Sequence, residues 1–254
     1  MILLSPSDQF RPSKAYALIK FFSERDHSEQ FLDGSLFMRR LSYFRREEDA
    51  EGRWDSTEGV WSWLQKKDLR INMNIPSVGA ISITERDLAA PVSMSIGGPD
   101  NLYIYCMYAY YIEQALPTDD IRDIYGEDRL VELEAALQLD PRCLRFGSHA
   151  VVIPWKPFVA RLRQAASKQS LRLRAGLVHY YDDNVFNGEF KFKDAPFRKQ
   201  KRFDYQREYR ICVQTLDHTP APRTINIGSL RGLGCYTPSE HLLKAFKLSL
   251  SSNV

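Results

Sequence analysis

The longest nearly apolar run in the chain, residues 102–112 (LYIYCMYAYYI), sets the first limit on what it can fold into. A bilayer takes roughly 20 apolar residues to cross, so this run is far too short for a membrane helix and reads as a buried strand. A chain of 254 residues buries about 70% or more of its unfolded surface and needs no disulfide staples. At roughly 150 residues per domain there is room for one large domain or two small ones. No Gly/Ser linker and no internal repeat divides the sequence, so residues 1–254 are taken as one domain. Hydrophobic residues at 44% and charged residues at 26% are ordinary globular values and exclude a disordered chain. The start, Met1-Ile2-Leu3-Leu4-Ser5-Pro6, lacks the basic n-region of a secretory signal. A soluble cytoplasmic protein without a membrane partner is expected.

Short strands alternate with helices along the chain. Residues 1–13 read as an arm, residues 15–22 as a strand, and 28–32 as a short helix stopped by Gly34, with a strand at 36–41. The charged stretch 45–58 reads as a solvated loop or helix face. Buried strands are expected at 78–84 and 102–109, and an amphipathic helix at 128–137. A strand at 149–153 precedes a helix at 157–168 with Phe158, Val159, Leu162, Ala165 and Ala166 on its apolar side. Strands at 175–181, 209–213 and 224–227 and a closing helix at 238–246 complete an α+β pattern.

Several chemistries lose their support early. Cys106, Cys143, Cys212 and Cys235 form no CxxC pair, and the five histidines show no HxxxH or HExxH spacing, so no metal site is expected. Glycine-rich phosphate loops and a GxSxG elbow are absent. A nucleotide would have to be held by side chains and strand edges.

Two segments carry side chains suited to such work. In the first, a strand ends Lys20-Phe21-Phe22-Ser23, and a return strand begins at Leu36 after Gly34 closes the turn. The ammonium and hydroxyl can face a ligand, although the same pattern suits an ordinary β-α-β start. The second is residues 203–213 (FDYQREYRICV), where a strand would put Gln206, Glu208 and Arg210 on one face and Tyr205, Arg207 and Tyr209 on the other. Burying an unpaired carboxylate is costly. Glu208 therefore either joins an ion pair at a sheet edge or works on a ligand, stabilising positive charge at an anomeric carbon while Gln206 orients an acceptor.

Taken together, the strand–helix–Gly–strand start and the Gln206-Arg207-Glu208-Tyr209-Arg210-Ile211 stretch resemble the ADP-ribosyltransferase fold. The likeness runs over about residues 15–60 and 145–215. The second stretch is similar to the Gln-x-Glu-aromatic strand of DarT-type bacterial toxins, and to phage-defence toxins of the CmdT type, which modify RNA. The resemblance implies an α+β domain with a split mixed sheet and flanking helices. It also implies an NAD-dependent transferase that uses no metal and serves in phage defence or beside an antitoxin protein. By motif, Glu208 matches the catalytic glutamate, with Gln206 beside it. Lys20 stands where relatives keep a His or Arg for the NAD ribose, with Phe21 adjacent and Ser23 as the nearby hydroxyl. Tyr43 and Phe44 would stack on nicotinamide, and Arg53 would meet the diphosphate. A Ser-Thr-Ser strand, typical of Arg-modifying toxins, is replaced by Met107-Tyr108-Ala109.

The segment 191–210 holds eight basic residues against three acidic ones, interleaved with Phe192, Phe197, Phe203 and Tyr205. Basic groups track phosphates and rings stack on unpaired bases, so Arg198, Lys199, Lys201, Arg202 and Phe203 form a candidate surface for RNA or, second, single-stranded DNA. A solvated charged loop would look the same. The alternatives are a non-enzymatic nucleic-acid-binding module on the same fold and a protein-modifying ADP-ribosyltransferase.

Overall fold

An eight-stranded sheet organises the computed structural model, which describes residues 15–46, 55–95, 102–111, 134–135, 137–215, 219 and 221–245. In chain order its strands are β1 (Ala15–Phe22), β2 (Ser35–Arg40), β3 (Leu102–Tyr111), β4 (His149–Pro154), β5 (Arg172–Leu177), β6 (Glu208–Gln214), β7 (Arg223–Asn226) and β8 (Cys235–Pro238). Helix α1 (Arg25–Leu32) joins β1 to β2, α2 (Leu41–Arg46) follows β2, and α3 (Trp155–Lys168) follows β4. The class is mixed α and β, and every pairing within this sheet is antiparallel. A parallel pair is found instead outside it, between His179–Tyr181 and Arg198–Gln200, so the expected mixed sheet does not describe the main one.

β3 is the spine. One edge pairs with β6 from Leu102 to Tyr108. Its other edge is shared: β1 takes Tyr108 to Tyr111, and β2 takes Tyr103 and Ile104. Neither strand continues the ladder along Tyr105 to Met107, so the sheet splits there.

Alternation along β3 explains why its sequence is apolar throughout. Tyr103, Tyr105, Met107, Ala109 and Tyr111 join the larger core with Phe31 of α1 and Phe158 and Leu162 of α3. On the opposite face, Ile104 packs with Leu41 and Phe197, while Tyr108 and Tyr110 pack with Ile19, Phe21 and Leu137. Cys106, midway on that second face, is only half-buried. The space beside it is the cavity described below.

α3 buries Phe158, Val159, Leu162, Ala165 and Ala166, a stripe of helical spacing. Gly34 has φ +96°, and a Cβ there would lie 2.2 Å from the Gly228 carbonyl oxygen. Only glycine fits that close approach.

Some expectations change. The strand expected to be buried at 78–84 is Gly79–Ile83, largely exposed in a hairpin with Ile71–Ile75 that stands off the main sheet. Closing residues 239–244 form a 3-10 turn rather than an α-helix. Most of the helix expected at 128–137 and the arm at 1–13 lie outside the described residues. No helix among those described is long and apolar enough to cross a membrane.

Candidate active site

Where β1 and β2 part, the backbone of β3 needs other partners. Lys20 provides one: its Nζ donates to the Cys106 carbonyl at 2.8 Å and lies 4.4 Å from the centre of the Tyr105 ring. Against this split lies a cavity of about 220 Å³, whose walls include Lys20, Phe21, Phe44, Tyr108, Gln206 and Glu208. Register decides what enters it. Glu208 faces Tyr108 and Arg210 faces Cys106 across the β3–β6 ladder, and directly opposed residues share a face.

Glu208 is only 5% exposed, yet it is fully partnered. Arg210 Nε donates to Glu208 Oε1 at 2.6 Å, and Lys199 Nζ lies 3.4 Å from Oε2. Arg210 also grips Glu58 with both terminal nitrogens, at 2.7 and 2.9 Å, and donates to the Pro196 carbonyl at 2.6 Å. Lys199 Nζ lies 3.3 Å from Glu58 Oε1 and donates to Gln206 Oε1 at 2.7 Å. Two carboxylates and two cations thus form a closed, charge-balanced quartet, the condition under which buried charges are tolerated. Burial alone would push the Glu208 carboxyl up. The Arg210 and Lys199 charges, with hydrogen bonds from Arg210 and Cys106, overcome it and hold Glu208 well below the usual carboxylate range.

Other groups respond to the same surroundings. Burial pushes the Lys20 ammonium down, against the raising pull of Cys106 and Glu208. Burial and the Glu208 charge push the Cys106 thiol far up, so it is no thiolate nucleophile at neutral pH. The backbone N–H of Glu208 donates to the Tyr180 hydroxyl at 2.9 Å.

The chain reaches Glu208 through a bend. Residues 201–206 form a 3-10 helix, and Arg207 then adopts φ 39°, ψ 49°. A non-glycine residue in that region costs about 1–2 kcal/mol. Arg207 is held there by hydrogen bonds from its own N–H to the Asp204 carbonyl and from the Ala109 N–H to its carbonyl, and by its guanidinium against the Tyr111 ring. Gln206 and Glu208 share the cavity because of this bend, not because they alternate along one strand; the strand begins at Glu208.

The turn at residues 55–59 closes the far wall. Thr57 donates its backbone N–H to Asp55 Oδ1 at 2.8 Å, and its hydroxyl binds the same oxygen. Gly59, at φ 72°, leads into the strand Val60–Leu64. Asp55 and Glu58 are therefore buried walls of the cavity, not members of a solvated charged face.

Lys20, Phe21, Phe44, Gln206 and Glu208 meet at one cavity. Tyr43 is not among its lining residues: its ring stands edge-on to Phe44 at 5.6 Å, under the Arg39 guanidinium at 4.1 Å. Ser23 is exposed at the end of β1, away from the lining. Arg53 lies outside the described residues.

The basic segment divides. Lys201 and Arg202 are exposed, and Arg198 is half-buried with its guanidinium 5.3 Å from the Phe190 ring centre. Lys199 and Phe203 are both 4% exposed, which corrects their place on a nucleic-acid surface: Lys199 belongs to the quartet, and Phe203 lies beneath Lys199 and Arg202. Among the described residues, no group of three or more His, Cys, Asp or Glu is placed to hold a metal ion.

Sequence reasoning passed over Asp55, Glu58 and Cys106 as site residues and gave Lys199 the wrong setting. One signal was present: Asp55-Ser56-Thr57-Glu58-Gly59 runs straight into Val60-Trp61-Ser62-Trp63, so two carboxylates sit at the mouth of an apolar aromatic strand. No protein-family model matches the chain, and no curated protein or solved structure shows significant similarity to it.

Proposed function

We propose that the chain is an NAD-dependent ADP-ribosyltransferase acting on nucleic acid, with RNA ahead of single-stranded DNA. One observation carries the reading: residues from β1, α2, the 201–206 helix and β6, far apart in sequence, converge on one cavity around a buried, ionised Glu208. The cavity, about 220 Å³, is below the 300–1,000 Å³ usual for whole ligands. It suits the nicotinamide–ribose end of a dinucleotide, with the adenosine end outside.

In this reading Phe44 and Phe21 flank the nicotinamide ring, and Lys20 donates to a ribose or phosphate oxygen. Glu208 accepts from a ribose hydroxyl. When the C1′–N bond breaks, its electron pair stays on the pyridine nitrogen and positive charge spreads over the ribose ring. Glu208, already ionised and held rigid by Arg210, stabilises that charge without reorganising. Lys201 and Arg202, exposed ahead of the bend, supply phosphate contacts for the acceptor strand.

The closed quartet also favours a second reading, a non-enzymatic nucleic-acid-binding module in which Glu208 serves as an internal ion-pair partner. Incubation with isotopically labelled NAD, followed by separation of RNA, DNA and protein, decides between them. The expected result is label on RNA with matching nicotinamide release, and loss of both by at least about 100-fold in Glu208→Gln. Absence of nicotinamide release by the native chain, or full turnover by a folded Glu208→Gln protein, would refute the transferase reading.

A further inference from the structure

Asp55 lines the cavity with one oxygen left over. Its Oδ1 is held by Thr57, but Oδ2 is buried without a hydrogen-bond partner, on a side chain only 1% exposed. Leaving a buried acceptor unsatisfied carries the full desolvation penalty of that group. Such a group calls for an explanation, and a ligand donor entering the cavity supplies one.

Two of the three carboxylates that line this cavity, Glu208 and Asp55, have opposite surroundings. Glu208 lies between Arg210 and Lys199. Asp55 is raised by burial and by the neighbouring Glu58, with the Thr57 hydrogen bonds and the Lys199 charge as offsets. Tyr181, from the strand His179–Tyr181, also faces it, with its own phenol pushed up to about 12 by burial first. From the remaining walls, Lys20 and Arg210 complete the charged surroundings. Paired titratable groups whose environments pull them apart divide the labour of a site, one holding fixed charge and the other moving a proton.

We propose that Asp55 is the general base for the acceptor, its Oδ2 taking the proton of the attacking group. This rests on the transferase reading above. The acceptor's oxygen or nitrogen lone pair forms the new bond to ribose C1′ as the C1′–N bond to nicotinamide is lost. The O–H or N–H proton passes to Asp55 Oδ2, and from there to water once product leaves. No other reactant is required.

The test is the pH–rate profile of ADP-ribose transfer from NAD to RNA for the native chain, Asp55→Asn, Thr57→Val and Glu208→Gln, each checked by thermal melting. Asp55→Asn keeps an oxygen for Thr57 to bind. It should slow transfer by about 10²–10⁴-fold and lose the acid limb of the profile, with partial rescue by added formate. Thr57→Val retains the carboxylate but removes a bond that favours its ionised form, so the acid limb should move to higher pH. A folded Asp55→Asn protein within about three-fold of the native rate, with its acid limb in place, overturns the proposal. If Asp55→Asn does not fold, an unmoved acid limb in Thr57→Val overturns it. Dependence on Glu208 with indifference at Asp55 removes the base role alone, whereas a native chain that releases no nicotinamide removes the transferase reading and the base role with it.

Discussion

Arg210→Leu should be the most damaging single change near the cavity, and its size follows from the contacts. Arg210 donates to Glu58 at 2.7 and 2.9 Å, to Glu208 at 2.6 Å and to the Pro196 carbonyl at 2.6 Å, from a position 1% exposed. Leucine leaves two buried carboxylates sharing the Lys199 ammonium, at 3.3 and 3.4 Å. Breaking a buried ion pair from one side costs about 3–5 kcal/mol, a large share of a total near 5–15 kcal/mol. At about 2–4 °C per kcal/mol for a domain of this size, Tm should fall by about 6–20 °C.

The pH dependence of that loss has a definite sign. In the native protein, Glu208 is held below its unfolded value, so its contribution is complete above the ordinary carboxylate range and fades as pH falls through the lowered value. Without Arg210, the folded Glu208 carboxyl loses its main lowering charge and takes up a proton more readily, so the deficit is greatest at neutral pH and shrinks towards about pH 5. Guanidinium titrations at both pH values measure it. The double variant Glu58→Leu/Arg210→Leu removes one charge of each sign, leaving Glu208 with Lys199. It should be more stable than the sum of the single changes predicts, by about 1–3 kcal/mol. Three results would refute the reasoning: a loss under about 1 kcal/mol at neutral pH, a loss that does not vary with pH, or additivity within about 0.5 kcal/mol.

Three further outcomes test the site and its frame. Lys201→Gln/Arg202→Gln should weaken RNA binding and flatten the salt dependence by about 1.4 in log–log slope, at about 0.7 per phosphate contact; an unchanged slope places the nucleic acid elsewhere. Lys199→Gln, by contrast, should lower stability first, because it strips a cation from two buried carboxylates, and urea melts will register this before any binding assay does. Gly34→Ala combines a strained φ of +96° with a Cβ 2.2 Å from a backbone oxygen, and should cost at least about 2 kcal/mol, measured as a fall in Tm with cavity chemistry intact in the surviving folded fraction.

What could be read from the sequence was what local pattern determines. The β1 boundaries, the Gly34 turn and the buried stripe of α3 follow from alternation, helical spacing and a positive φ, each contained within a few neighbouring residues. Lys20 stood out as a cation at a strand end able to face a ligand, and Glu208 because a carboxylate entering an apolar strand looks costly on its own. The quartet was hidden because its members satisfy one another over long distances: Glu58 meets Arg210 across 152 residues. The local sign at Glu58, its place with Asp55 just ahead of the apolar run Val60-Trp61-Ser62-Trp63, marks a buried carboxylate but gives no hint that Arg210 is its partner. Arg207 was hidden for another reason, since an arginine at φ 39° is held by tertiary contacts and carries no signature of its own.

The basic segment shows how the two kinds of information combine. Its surplus of cations in 191–210 counts Lys199 and Arg210, which are spent inside the quartet against Glu58 and Glu208. Lys191, Lys193, Lys201 and Arg202 remain exposed, against Asp204 as the exposed acid. The surface is therefore still positive, but it is narrower than the sequence suggests and it has lost Phe203 as a stacking ring. Binding on such a patch should depend more on phosphate charge than on base identity. On the proposed transferase reading, a preference for RNA over single-stranded DNA would then come from the cavity mouth, where an acceptor group would have to reach Glu208 and Asp55 together.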